Sequence, residues 1–186
     1  MRHNHNDGHN LDPNISIQPN IGLDKDVRHS VVKILNITLA DEAVLTTKTR
    51  SAQWNVSGPG FIELHILFDS QYKQLNEISD EIAERVRMLG GFVIGSLEDF
   101  LNHTRLEEQQ TGIVPDILRL LADHEASIRF LREDARKTSE DYEDEGTLEL
   151  LVSVMRLHEK MAWMLRSYIE NEPIQGESQK RILLDE

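Results

Sequence analysis

The stretch FIELHILFDSQYKQLNEISDEIAERVRMLGG, residues 61 to 91, decides the fold of this chain. Phe61, Leu64, Phe68, Leu75, Ile78, Ile82 and Leu89 recur mostly at three-, four- and seven-residue steps, the spacing of one face of an α-helix. The spacing predicts a helix over residues 61–88, preceded by the breaker Ser57-Gly58-Pro59-Gly60 and stopped by Gly90-Gly91. Upstream, Lys25 to Asn55 has no Gly or Pro and places Val27, Val31, Ile34 and Leu45 near one face, a first long helix.

Downstream, residues 91–114 are too many for a turn between antiparallel neighbours, and Ser96 to Leu101 within them reads as a short capped helix. Pro115 opens a third long helix, with Ile117, Leu121, His124, Ile128 and Leu131 on one face, until the polar run Lys137–Gly146. The fourth begins near Thr147 and carries Leu151, Met155, His158, Ala162, Leu165 and Ile169 before Pro173. Four amphipathic helices with one long crossover are the layout of a ferritin-like bundle, an all-α fold with a short helix between the second and third long ones. The expected organisation is a mobile His-rich tail over residues 1–24, the bundle over 25–171 and a short mixed-charge tail over 172–186. His3, His5 and His9 can gather a metal ion loosely, although a solvated tail is the plainer reading.

Composition narrows the chemistry. The 186 residues are 39% hydrophobic, 28% charged and 5% aromatic, which suits one helical domain better than a many-turned β architecture. With 33 acidic and 20 basic side chains the net charge is −13, a field that repels polyanions and attracts cations. Direct DNA binding is therefore disfavoured. The chain has no cysteine, so any metal must sit on oxygen or imidazole nitrogen. Neither a secretion signal nor an apolar run of membrane-spanning length is visible, and a cytoplasmic location is expected.

On the second helix His65 and Asp69 are four residues apart, as are Asp80 and Glu84, so each pair shares a face. At ~100° per residue, the step from Asp69 to Asp80 returns to within about 20° of the same direction, and all four lie on one stripe. At ~1.5 Å per residue, His65 and Glu84 stand about 28 Å apart along the axis, so one chain cannot close one site. Two antiparallel copies related by a two-fold axis between Gln74 and Leu75 bring each His65–Asp69 pair to the partner's carboxylates and create two identical intersubunit sites. Imidazole plus carboxylates with open positions suits Fe(II), with zinc as the competitor. A solvated stripe with Asp69–Lys73 and Glu84–Arg87 pairs explains the same residues. No Glu-x-x-His occurs, so a ferritin di-iron site within one chain is not expected, and His124 and His158 read as structural histidines in an apolar stripe.

The stretch Gln53-Trp54-Asn55-Val56-Ser57-Gly58-Pro59-Gly60-Phe61, then Leu64-His65, then Asp80-Glu81-Ile82-Ala83-Glu84-Arg85, resembles the signature of the Dps family, the mini-ferritins named as DNA-binding proteins from starved cells. The likeness runs from about residue 20 to 170 through Leu89-Gly90-Gly91, His158-Glu159-Lys160 and Trp163-Met164-Leu165. It implies a dodecameric shell with a ferroxidase centre at each dimer interface. There Fe(II) would be oxidised, preferably by hydrogen peroxide, and ferric iron stored, protecting DNA by detoxification. Carried over by position, His65 and Asp69 come from one subunit and Asp80 and Glu84 from the other. Trp54 lies beside the centre, either intercepting a stray oxidising equivalent or filling the interface.

The family usually places His before the Trp, where this chain has Gln53, a weaker ligand for a borderline metal. Asp141, Glu143, Asp144 and Glu149 resemble the carboxylates of pores through which iron enters on a three-fold axis; a solvated loop explains them too. Two alternatives stay open, a non-enzymatic DNA-compacting protein and a zinc-holding or storage cage with an impaired centre.

Overall fold

The computed structural model describes residues 11, 12, 14, 15 and 17–171, with side chains to residue 170. His3, His5, His9 and the segment 172–186 lie outside the described residues. The helix predicted from the opening stretch is α2, Phe61–Met88, and the helix before it is α1, Lys25–Asn55. In the long connection α3 spans Leu97–His103, its N-terminus held by the Ser96 hydroxyl accepting from the Asp99 amide at 3.0 Å. The second half is α4, Ile117–Glu140, and α5, Glu145–Asn171.

Two boundaries differ from expectation. Asp116 caps α4 by accepting from the Arg119 amide at 2.8 Å, leaving Pro115 before the cap. At the other end α4 runs through the polar segment to Glu140, because Asp134 and Thr138 are buried and Thr138 donates to the Asp134 carbonyl. The turn to α5 is then only residues 141–144.

α1 packs on α2 and α4 on α5, each pair joined by a short turn, and the pairs meet through α1 with α4 and α2 with α5. α3 lies against α1. The core consists of rows that interdigitate between helices: Val31, Leu35 and Leu45 of α1, Leu75, Ile78 and Ile82 of α2, Leu120 and Leu131 of α4, and Leu151, Met161 and Leu165 of α5. Each such side chain contributes roughly 1.5–3 kcal/mol by leaving water. The buried row of α4 is Leu120, His124, Ser127 and Leu131, displaced from the expected Ile117, Leu121 and Ile128. Phe61, predicted in the α2 core row, is instead exposed.

Part of the expected tail is tied down. Leu11 forms an isolated antiparallel bridge with Gly91, and the Arg87 guanidinium donates to Asp12 at 2.8 Å. Leu11 and Asp12, within the expected mobile tail, therefore contact the end of α2 and the turn after it. Among the described residues no helix is long and apolar enough to cross a membrane.

Candidate metal centre

The α1–α2 turn positions the N-terminal half of the predicted stripe. Gly60 adopts φ 73°, and a Cβ there would run into the Tyr168 hydroxyl of α5, so only glycine lets α2 begin this close to α5. This start brings His65, one turn into the helix, against the end of α1.

The His65 ring meets Gln53 twice: Nδ1 lies 3.0 Å from the Gln53 carbonyl oxygen, and Nε2 lies 3.0 Å from the Gln53 side-chain nitrogen. A carbonyl only accepts, so Nδ1 carries the proton in this contact. In the neutral ring Nε2 then presents its lone pair, which accepts from the Gln53 amide. The backbone contact thus fixes the ring's orientation and tautomer, as a carbonyl accepting from the far nitrogen of a metal-binding histidine does. The side-chain amide covers the nitrogen that would bind the metal. Phe61 lies against the same ring, with centroids 5.3 Å apart. Asp69 is half-buried one turn on, and the Lys73 ammonium, 2.7 Å away, holds its carboxyl below the usual range.

Asp80 and Glu84 occupy the far end of α2, exposed and free of ion pairs among the described residues. Of the two helical ion pairs weighed from sequence, Asp69–Lys73 forms; Arg87 turns instead to Asp12 and to the Gly91 carbonyl oxygen at 2.6 Å. Among the described residues of this single chain no group of three or more His, Asp or Glu converges to hold a metal. Gln53 and His65 are therefore brought together, Asp69 stands next to them, and Asp80 and Glu84 remain apart.

Trp54 is 71% exposed beside Gln53, and Ile62 and Ile66 are also exposed on the first turns of α2. This apolar rim surrounds the imidazole end of the stripe. The acidic turn divides differently. Asp144 is buried, accepting from Arg85 at 2.7 Å, from the Thr147 amide at 3.0 Å and from the Thr147 hydroxyl at 2.6 Å. It anchors the start of α5 to α2. Asp141, Glu143 and Glu149 are exposed.

Sequence reading missed one buried constellation. His124 and His158 are both fully buried, as expected of structural histidines, but they face one another, Nδ1 to Nδ1, at 2.9 Å, and His158 Nε2 lies 2.9 Å from Glu42 Oε1. Burial, with a contribution from His158, pushes the His124 pKa well below the ordinary histidine value. The signal available in the sequence was Glu42 itself, a carboxylate in the row Leu39, Glu42, Thr46, Thr49, Gln53 whose three- and four-residue steps face the core.

The ferritin-like domain family matches residues 32–173. An uncharacterized low temperature-induced protein of Nostoc sp. is 44% identical over 160 residues, spanning 84% of this chain and 89% of that protein. A DNA protection during starvation protein of Agrobacterium fabrum is 32% identical over 152 residues, covering 81% and 94%. Among solved structures, DpsC from Streptomyces coelicolor aligns with a TM-score of 0.81 at 28% identity, covering 93% of this chain and 100% of that one. A Dps protein from Vibrio cholerae, described as a member of a broad superfamily of ferritin-like diiron-carboxylate proteins, aligns at 0.76 and 28% identity over 82% and 96%. With the bundle, the crossover helix and the Gln53–His65 corner in place, these similarities establish that the chain belongs to the Dps family of ferritin-like proteins.

Proposed function

We propose that this protein is a cytoplasmic iron-oxidising and iron-storing cage of twelve subunits that takes Fe(II) and hydrogen peroxide as substrates. Its centres lie between subunits: His65 and Asp69 of one chain, with Gln53 at the edge, face Asp80 and Glu84 of a second. The carrying observation is that one stripe of α2 holds an oriented, half-buried imidazole with its carboxylate at one end and two exposed carboxylates without ion pairs at the other. The exposed Trp54, Ile62 and Ile66 around the imidazole suit coverage by a second copy. The names of the relatives and the diiron description of the Vibrio cholerae structure support iron as the metal.

The chemistry balances without a resident cofactor. Each of two Fe(II) ions loses one electron, hydrogen peroxide accepts both, and hydrolysis of the ferric product with two further waters to FeO(OH) releases four protons. The carboxylates and imidazole hold the cations close to the oxidant, which replaces free radical chemistry by a positioned electron transfer. Exposed Asp141, Glu143 and Glu149 supply negative charge where iron would enter the shell.

The test is complementation. A His65→Ala/Asp69→Ala variant and an Asp80→Ala/Glu84→Ala variant are each expected to lose about 100-fold or more in Fe(II) oxidation, as ligand loss at metal sites does. Hybrids assembled from the two should recover one intact centre per dimer. Verified hybrids that stay inactive overturn the intersubunit site.

A second reading is favoured by the Gln53 amide on His65 Nε2. A metal must displace that hydrogen bond, which suits a storage or zinc-holding cage with slow oxidation. Stopped-flow oxidation of Fe(II) by peroxide separates the two, since a cage of the second kind shows equal rates with and without His65 and Asp69.

A further inference from the structure

The core of the bundle contains a polar seam that packing does not require. Along α1, Glu42, Thr46, Thr49 and Gln53 are all buried, and steps of four, three and four residues at ~100° keep them within an arc of about 60°. At one end the Gln53 amide touches His65. At the other, Glu42 is the terminus of the chain His124 Nδ1, His158 Nδ1, His158 Nε2, Glu42 Oε1. Along this row and on the helices packed against α1 are buried atoms with no protein partner: the hydroxyls of Thr46 and Thr49, Glu42 Oε2, Gln71 Oε1 of α2, and His124 Nε2 and Ser127 Oγ of α4. Gln71 donates from its nitrogen to the Met161 carbonyl at 3.3 Å, and α2 runs antiparallel to α1 from the His65 contact, which brings Gln71 level with Thr46 and Thr49.

Each unpartnered buried polar atom has given up its hydration without a replacement, so a row of them signals a polar occupant. Successive polar positions on α1 are ~4.5–6 Å apart along the axis, and one water making two hydrogen bonds of ~2.8 Å spans that gap. The unpartnered carboxylate oxygen identifies what such waters would carry. Glu42 Oε1 is engaged by His158 Nε2, while Glu42 Oε2 is buried in the seam with no protein partner. Of the other buried charged groups on the packed elements, Lys48 of α1 pairs with Asp123 of α4, Arg105 holds Asp41 of α1 and Asp134 of α4, and Arg28, about four turns from Glu42 along α1, donates to the Leu89 carbonyl. Among the described residues α2 buries no charged side chain, and α5 buries only His158. A proton arriving at the free Glu42 Oε2 can be shared along the Glu42–His158–His124 contacts, with only O–H and N–H bonds made and broken.

We infer that the Thr46–Thr49 seam binds a file of water molecules that carries protons from the Gln53–His65 corner to a Glu42–His158–His124 trio, which stores one proton per subunit. The inference rests on the reading of that corner as an Fe(II)-oxidising centre for the source of its protons, and on the seam alone for the water file and the acceptor. The depressed His124 pKa agrees with it, because the stored proton then resides between Glu42 and His158.

Thr46→Val combined with Thr49→Val tests it, since valine keeps the volume, removes only unpartnered hydroxyls and leaves every proposed ligand intact. Thr47→Val is the control: Thr47 is exposed and donates to the Ala43 carbonyl. Metal-free crystals of the full-length protein soaked in D2O for increasing times and read by neutron diffraction should show waters on Thr46 and Thr49 and deuterium at His158 Nε2. In the double variant the waters should be gone and the exchange half-time at least about tenfold longer, with the control unchanged. A dry seam, or equal exchange in the two proteins, overturns the inference. With Fe(II) and peroxide, indicator-monitored stopped flow should find the first-turnover proton burst of the wild type one proton per centre smaller than that of the double variant. Equal bursts overturn the storage role. Failure of the wild type to oxidise Fe(II) sinks the proposed centre, while the D2O exchange still decides the seam.

Discussion

At its N-terminal end α2 starts on a glycine and meets its own chain through one imidazole, whereas its C-terminal end is fastened to three other segments while Asp80 and Glu84 stay free. Arg85 reaches Asp144 and Thr147 before and within α5, Arg87 reaches Asp12, and Arg28 of α1 donates to the Leu89 carbonyl at 2.9 Å. The Gly91 amide closes the helix by donating to Val86 at 2.9 Å. The difference teaches how one helix would serve the two proposed half-sites. At the anchored end, the backbone is fixed by neighbours, and Asp80 and Glu84 need no partner of their own. At the other end, His65 itself is held, by the Gln53 amide that a bound metal would have to displace.

The largest expected effect tests the anchored end. Arg85→Ala leaves the Asp144 carboxylate buried against only the Thr147 amide and hydroxyl, and removing one partner of a buried pair costs about 3 kcal/mol when the lost partner is partly exposed, as Arg85 is. Chemical denaturation at fixed protein concentration reads this, and a loss below about 1 kcal/mol would mean that the end is not held there. At the opposite end Gly60→Ala forces a non-glycine residue to φ 73° and pushes Tyr168 aside, an expected loss of about 2 kcal/mol. A comparable loss of metal affinity should accompany it, since His65 moves with the first turn. Stability lost with affinity intact would separate the glycine from the site.

A third contrast sets the exposed stripe of α2 against the buried histidines. Folded His124 is neutral with its pKa depressed, whereas unfolded histidine takes up a proton below about pH 6.5. The resulting stability is present above that pH and is lost as pH falls through it toward the folded value. The slope approaches ~1.4 kcal/mol per pH unit for one proton. Buried Asp41, Asp123 and Asp134 have carboxyl pKa values raised by burial, so they oppose the trend as pH nears the carboxylate range. Denaturation curves between pH 7 and 5 should show the fall, and His124→Gln should flatten it. An unchanged slope would remove the histidine from the account.

Gln53→His sharpens the comparison from the ligand side. It replaces the amide that covers His65 Nε2 with an imidazole of the type the family usually carries there, and metal affinity at the dimer site should rise about tenfold. Unchanged binding by calorimetry counts against any ligand role for position 53.

The helices, and the placement of His65, Asp69, Asp80 and Glu84 along one of them, were legible because both depend on local spacing: the α2 core row and the step from Asp69 to Asp80 are properties of one continuous segment. What was not legible depends on pairs far apart in the chain. Glu42 and His158 are separated by 116 positions and Lys48 and the Glu107 carbonyl by 59, and no periodicity links them. For the same reason Asp144 looked like one more carboxylate in an acidic turn. Its burial is decided by Arg85 on another helix, and its capping of Thr147 appears only once α5 is seen to begin at Glu145. Phe61 was misplaced because, on the first turn of α2, its ring lies against His65 and stays exposed, a contact that the spacing of apolar residues does not encode.

The smallest expected effect concerns the acidic turn beside the anchored end. Glu143 adopts φ 48°, a left-handed conformation that disfavours a branched or long side chain and suits asparagine or glycine. Glu143→Asn should therefore raise unfolding free energy by about 0.5 kcal/mol. The same substitution removes one exposed carboxylate from the region where iron would enter the shell. If Glu143 is there only to close the turn, iron uptake under limiting Fe(II) is unchanged and stability improves. If its charge draws cations inward, stability improves but uptake slows, and the slowing is largest at low ionic strength, where the Debye length is longest. A fall in stability fits neither case and would show that the strained turn is held by the glutamate side chain itself, making Glu143 part of the anchor that Asp144 provides.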